Sequence, residues 1–170
     1  MHLRDLQLRD AERMLEWMHD PSVVNKLQTD FLSKTIEDCN RFIANSQNYG
    51  NIHLAITDDN DRYMGTVSLK NMTGTAAEFA ITVSRDAMGK GYAIWAMQEI
   101  IKRGFVQYGL TDIYWCVAPD NMRALKFYDK NGFERVLPDA IKHIEGYTCE
   151  QINTYVWYLI TSIAYEKEHY

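Results

Sequence analysis

A chain of 170 residues, 46% apolar and 24% charged, has the balance of a folded domain with a sizeable core and not that of a disordered segment. A net charge of -5 excludes a general nucleic-acid binder, which needs a basic stripe. Three widely spaced cysteines (Cys39, Cys116, Cys149) exclude a disulfide framework, and five scattered histidines offer no metal pair at helical spacing. No apolar run reaches the length of a membrane span, and the charged start MHLRDLQLRD does not read as a signal peptide, so a reducing cytoplasm is the expected setting. Local phosphate binding stays open, because Arg85, Lys90, Arg123, Lys126 and Lys130 gather in the central third.

In chain order, His2 to Arg9 alternates weakly and reads as an edge strand. Asp10 can cap a short helix from Ala11 to His19 with Met14, Leu15, Trp17 and Met18 inward. Pro21 breaks that helix, and Pro21 to Leu27 reads as a second short turn. Ser33 or Thr35 caps a longer helix to about Gln47, with Thr35 and Asp38 approximating a capping box. Asn51 to Thr57 and Tyr63 to Leu69 read as a hairpin across the Asp58-Asp59-Asn60-Asp61 turn. Thr73-Gly74 turns into a third strand, completing an antiparallel meander.

The third strand leads to the most informative stretch, AEFAITVSRDAMGKGYA. Phe79, Ile81 and Val83 alternate with Glu78, Ala80 and Thr82, as a half-buried strand requires. Gly89-Lys90-Gly91 then makes a tight loop. From Tyr92 the period becomes helical, with Ile94, Met97, Ile101, Phe105 and Tyr108 on one stripe and Gly109 as the stop. The first turn of a helix leaves backbone N–H groups unpartnered and carries partial positive charge. Glycines let a phosphate approach without meeting a Cβ. The junction therefore suggests a bound phosphate or pyrophosphate; a plain tight turn is the other reading.

Beyond it, Asp112 to Ala118 is a dense apolar strand, parallel to the one before the loop because a crossover helix joins them. Met122 to Lys130 is a helix, Asn131-Gly132 closes it, and Phe133 to Leu137 is a further strand. Pro138 to Gln151 reads as loop. Ile152 to Ile160 is an apolar last strand, a possible homodimer contact, and AYEKEHY is expected to be exposed. No repeat or linker divides the chain, so one domain over residues 1–170 is expected.

A Walker A loop needs Ser or Thr after Gly-Lys, and Gly91 stands there. A dinucleotide fingerprint needs a third glycine, and Ile94 occupies that position; Asp112 is spaced as a ribose-binding acid but opens its strand. A nucleotide-dependent oxidoreductase therefore remains an alternative.

The order of meander, Gly-x-Gly loop, helix and parallel strand, followed by Asn121, Ala124, Tyr128, Gly132 and Phe133 within APDNMRALKFYDKNGFERV, resembles the GNAT superfamily of acetyl-CoA-dependent N-acetyltransferases. Through AEFAITV and GKGYA it is most similar to the branch of ribosomal-protein, spermidine and amino-sugar acetyltransferases. The resemblance implies an α+β, three-layer fold. Its sheet would be mixed and mostly antiparallel, of about seven strands, with a splayed parallel central pair and helices on both faces. It also implies residue roles. Backbone N–H groups of Met88, Gly89, Lys90, Gly91, Tyr92 and Ala93 would hold the CoA pyrophosphate. Ile81 and Val83 would pair with the pantetheine arm like an added strand. Asn121, with Ala124 beyond it, would contact the cofactor, Tyr128 would face the thioester sulfur, and Glu78 occupies a position where relatives often place a general base. Taken alone, Glu78 reads as a solvated strand carboxylate. The family often has Gln or Arg where Asp86 stands, and an acid beside a pyrophosphate is unfavourable unless it points away.

The chemistry is demanding. An amine with pKa ~10.4 must lose a proton before it attacks, and a carboxylate at ~4.3 is too weak to take it directly. Glu78 would act through ordered water or with its pKa raised by burial. A strand N–H near Ile81 could stabilise the oxyanion. The leaving thiolate, at ~8.5, is less basic than a phenolate at ~10, so Tyr128 would donate a hydrogen bond rather than its proton. A non-catalytic CoA-binding module is the second alternative. The acceptor, whether polyamine, amino-sugar nucleotide or protein N-terminus, is not legible. Trp17, Met18 and Phe31 read as core packing or as a substrate-pocket wall.

Overall fold

The computed structural model describes residues 1–48 and 50–169. In chain order it holds β1 (His2–Asp5), α1 (Ala11–Met18), α2 (Pro21–Val24), α3 (Ile36–Ala44), β2 (Ile52–Thr57), β3 (Tyr63–Thr73) and β4 (Ala76–Val83). Then follow α4 (Tyr92–Val106), β5 (Asp112–Val117), α5 (Met122–Lys130), β6 (Arg135–Val136), α6 (Cys149–Thr154), β7 (Val156–Thr161) and α7 (Ser162–His169). The seven strands form one sheet in the order β1-β2-β3-β4-β5-β7-β6. Every pairing is antiparallel except β4–β5. This is the mixed, three-layer α+β arrangement expected. The antiparallel β3–β4 pair does not fit the parallel sheet of a dinucleotide fold.

Alternation along the meander divides the sheet into two faces. Leu54, Val67 and Ile81 stand in one cross-strand row, and Ile52, Leu69 and Phe79 in the next; both rows pack under α4. On the opposite face His53, Ser68 and Ala80 make one row and Ala55, Thr66 and Thr82 another, facing α1 and α3. Thr35 caps α3 as expected: its side chain accepts from Asp38 N while Asp38 accepts from Thr35 N. Asp10 does not cap α1 with its side chain. Its carboxylate turns back to Gln7 N and takes a two-pronged contact from Arg4, at 2.7 and 2.8 Å.

β4 and β5 are in register only over Ala76–Asp112, Ala77–Ile113 and Glu78–Tyr114. From Phe79 to Val83 β4 pairs with β3 alone, so the central strands splay as expected. The stripe of α4 is rotated from its expected position. Ala96, Met97, Ile100, Ile101 and Gly104 are buried, Ile94 and Phe105 are half-buried, and Tyr108 is exposed beyond the helix end. Gly104 is part of that rotation: a Cβ there would lie 2.7 Å from Ile113 Cδ1, so the helix rests on the sheet at that point.

The C-terminal third departs most from expectation. Only Arg135–Val136 of the expected strand pairs, and with β7. The expected loop ends in α6, whose capping box between Thr148 and Gln151 starts the helix at Cys149. Ile152 is therefore helical, and the last strand begins at Val156. That strand lies between β5 and β6, not at an edge, which removes the basis for a dimer contact through its backbone. The charged tail is helical in α7, with Tyr165 packed on Phe105 at 5.2 Å between ring centres. No helix among the described residues is long and apolar enough to cross a membrane.

Candidate active site

Two cavities flank the free half of β4. They share two lining residues, Ile81 and Thr82. The first, of about 420 Å³, opens between β4, the start of α4 and α5. It gathers Ile81, Val83, Met88, Gly89, Gly91, Ala93, Asn121, Ala124 and Tyr128, all expected to meet the cofactor. Lys90 and Tyr92 were expected there too, but their side chains do not line it.

Backbone conformation explains the loop. Gly89 and Gly91 have φ of +73° and +84°, which disfavour a side chain. A Cβ at either would meet nothing within 4 Å, so the chain is open to an approaching group there. Met88 N and Lys90 N are occupied, donating to Arg85 O and Ala87 O. Trp95 N is the first helical amide with an acceptor, on Gly91 O at 3.1 Å. Among the described residues, the amides of Gly89, Gly91, Tyr92, Ala93 and Ile94 therefore have none. Asp86 points away from this cavity: its Oδ2 lies 3.2 Å from both Arg13 Nη2 and Arg62 Nη2.

Tyr128 comes from α5, and an aromatic cluster fixes its ring. Trp115 and Tyr158 each lie 5.2 Å from it, ring centre to ring centre, and stack on one another at 5.3 Å, so the three rings pack as a triangle. Asp129 ties α5 down, accepting from Tyr158 OH and Arg135. Tyr128 is 7% exposed, and burial pushes its phenol far above the ordinary range. No hydrogen bond from its hydroxyl is formed to the described residues, burial and nearby charge alone acting on it. Asn121 caps α5 through Ala124 N at 3.2 Å. The outer wall is Val23 and Leu27, and Arg123 clamps it by donating to Ser22 O and Val23 O.

The second cavity, of about 530 Å³, lies on the other face of the sheet. Trp17, Met18 and Phe31 line it, so the pocket-wall reading applies to residues that also pack the core. His53, Thr66, Ser68, Lys70, Ala80 and Thr82 form its sheet wall. His53 Nδ1 lies 2.7 Å from Ser68 Oγ, and burial, with Lys70 nearby, lowers its pKa to about 4. These residues were missed in the sequence. The strand register was the available signal, since period-two alternation puts His53, Ser68 and Lys70 on the face of Ala80 and Glu78.

Glu78 is not solvated. It is 3% exposed and sits one contact behind the second cavity, where Lys70 Nζ reaches its Oε1 at 2.9 Å. Asn71 Nδ2 donates to Oε2 at 3.0 Å and Tyr147 OH to Oε1 at 2.5 Å. Cys116, on the same face, has its pKa raised by burial to about 11, which keeps it a thiol. Among the described residues, no three His, Cys, Asp or Glu side chains are grouped as metal ligands.

Residues 1–134 match the family described as "Acetyltransferase (GNAT) domain". The chain is 25% identical over 129 residues to acetyltransferase PseH of Campylobacter jejuni, covering 76% of this chain and 80% of that protein. It is 26% identical to the uncharacterized N-acetyltransferase p20 of Bacillus licheniformis, covering 78% of each. In fold it is similar to the spermidine N-acetyltransferase of Vibrio cholerae, solved with CoA and spermine: TM-score 0.77, 18% identity, 97% of both chains.

Proposed function

Because the chain belongs to the GNAT acetyltransferase family, we propose that it moves acetyl from acetyl-CoA, bound in the first cavity, to a primary amine bound in the second. Acetyl-CoA supplies an activated thioester; binding, orientation and proton handling fall to the chain. The amides of Gly89, Gly91, Tyr92 and Ala93 would take the diphosphate: none has an acceptor among the described residues, they stand at a helix start, and the space beside Gly89 and Gly91 is open. Met88 and Lys90 contribute position rather than N–H groups, theirs being in use. The unpaired edge of β4 at Ile81 and Val83 would receive the amide-bearing arm as an added strand, with Asn121 and Ala124 on the far wall.

Tyr128 would donate a hydrogen bond to the departing sulfur. Its raised pKa keeps the proton on the phenol, so it donates without transferring. Glu78 would accept the proton of the amine through ordered water, with Lys70 between it and the cavity. Attack is direct, and no covalent enzyme intermediate is needed. We take residues 1–170 to act as one domain in the cytoplasm; the three cysteines are free.

The observation that carries this reading is the pair of cavities meeting across Ile81 and Thr82, one of them floored by unpartnered amides. The test is thiol release from acetyl-CoA across an amine panel, beside a CoA titration. Thiol release that depends on an amine supports transfer. CoA binding without acetylation of any amine would make the chain a binding module.

A further inference from the structure

We infer that the amine taken by the second cavity carries an anionic group, a phosphate or carboxylate, and is not a polyamine. This rests on the acyl-transfer reading above and names the class of its second substrate. The charged side chains lining the cavity are Lys34, Arg41, Lys70 and one carboxylate, Asp38. Asp38 is already engaged. Its Oδ2 accepts from Thr35 N at 3.0 Å and Thr35 Oγ1 at 3.2 Å, and its Oδ1 from Arg41 Nη1 at 3.2 Å. At the inner end Glu78 is matched to Lys70 and does not line the cavity. Lys34 makes no close ion pair among the described residues, feeling Asp38 only through space, and Arg41 spends one of its five N–H donors on Asp38.

A polyamine presents two or more ammonium groups, each needing a carboxylate or carbonyl to replace its water. This cavity has no carboxylate to spare, and its cations repel such a ligand. A phosphate or carboxylate meets the reverse situation: a guanidinium with free donors beside an ammonium whose three N–H donors make no close contact with a carboxylate. Lys34 and Arg41 stand on the helical side of the cavity, and Ile81 and Thr82 on the sheet side, toward the thioester. An acceptor long enough to span it would hold its anion at the first pair and its amine at the second. The wall between combines Thr66, Ser68 and Thr82 with the rings of Trp17, Phe31 and Phe42; the Thr66 and Ser68 hydroxyls already pair with Tyr63 and His53, and each keeps capacity for one more hydrogen bond to a hydroxyl-bearing scaffold.

The experiment compares glucosamine 6-phosphate with glucosamine, a pair differing only in the phosphate, and with spermidine. Each is assayed for thiol release from acetyl-CoA and titrated calorimetrically onto the CoA-loaded protein. The expected result is a phosphate advantage of tenfold or more in kcat/KM or affinity, with spermidine weakest. The double variant Lys34→Ala/Arg41→Ala should lose that advantage while keeping its Tm and its CoA affinity. Equal values for the matched pair, a preference for spermidine, or no binding by any of the three overturns the inference. CoA titration separates the two levels. CoA binding without a phosphate preference sinks this inference alone; no CoA binding sinks the acyl-transfer reading and this inference with it.

Discussion

Lys70 Nζ sits 2.9 Å from Glu78 Oε1 and so joins a carboxylate buried under Tyr147 to the wall of the second cavity. Replacing Glu78 by Gln removes the charge that holds Lys70 and leaves the donors of Asn71 and Tyr147 facing an amide. A fully buried pair broken this way costs about 3–5 kcal/mol; with a third of Lys70 in solvent, roughly 1–2 kcal/mol is expected. If Glu78 also receives the amine proton, the alkaline-rising limb of the rate profile flattens in Glu78→Gln. A lower Tm with an unchanged pH profile would make Glu78 only an anchor for Lys70 and Tyr147.

Tyr128→Phe should leave the fold intact, because the ring keeps its contacts with Trp115 and Tyr158 and the hydroxyl gives up no protein partner. Turnover should fall about 10²-fold, in the range for losing one hydrogen-bond donor to the charge that develops in the transition state, while the Kd for CoA changes little. Turnover equal to wild type would remove Tyr128 from the chemistry.

Gly91→Ala places a Cβ on backbone at φ +84°, a conformation costing an L-residue about 1–2 kcal/mol. That Cβ would also project into the open space beside the free amides. CoA affinity should drop more than tenfold, with a Tm loss no greater than the backbone strain explains. Unaltered CoA affinity would mean that the diphosphate is held elsewhere.

His53 sets an acid limit on stability. Burial, aided by Lys70, lowers its pKa from 6.5 to about 4, so the unfolded chain takes up a proton before the folded one does. Stability is therefore complete above about pH 6.5, declines as pH falls, and levels off below about 4. The loss is at most about 3 kcal/mol from this group. In urea melts between pH 7 and 4, His53→Gln should show a shallower decline than wild type; identical slopes would count against the assignment.

What could be read in the sequence was local. The change of period at Gly89-Lys90-Gly91 lies within one stretch, and so does the cap of α5 by Asn121, so both were legible. The C-terminal elements were not. INTYVWYLI is rich in β-branched and aromatic residues and reads as strand, yet the box between Thr148 and Gln151 draws Ile152 into a helix. β6 exists only through its bonds to β7, more than twenty residues on. The burial of Glu78 depends on Tyr147, 69 positions away, and the second cavity is assembled from α1, α3, β2, β3 and β4. Such sites are set by register and by helix packing, which a window of neighbouring residues does not contain.

The partition between the two cavities is a single strand thick at Ile81 and Thr82. With acetyl-CoA in one and the amine in the other, as proposed, donor and acceptor would arrive from opposite sides of the sheet, and neither would have to depart before the other lands. Initial-rate plots at several fixed concentrations of one reactant should intersect instead of running parallel, with either reactant able to bind first.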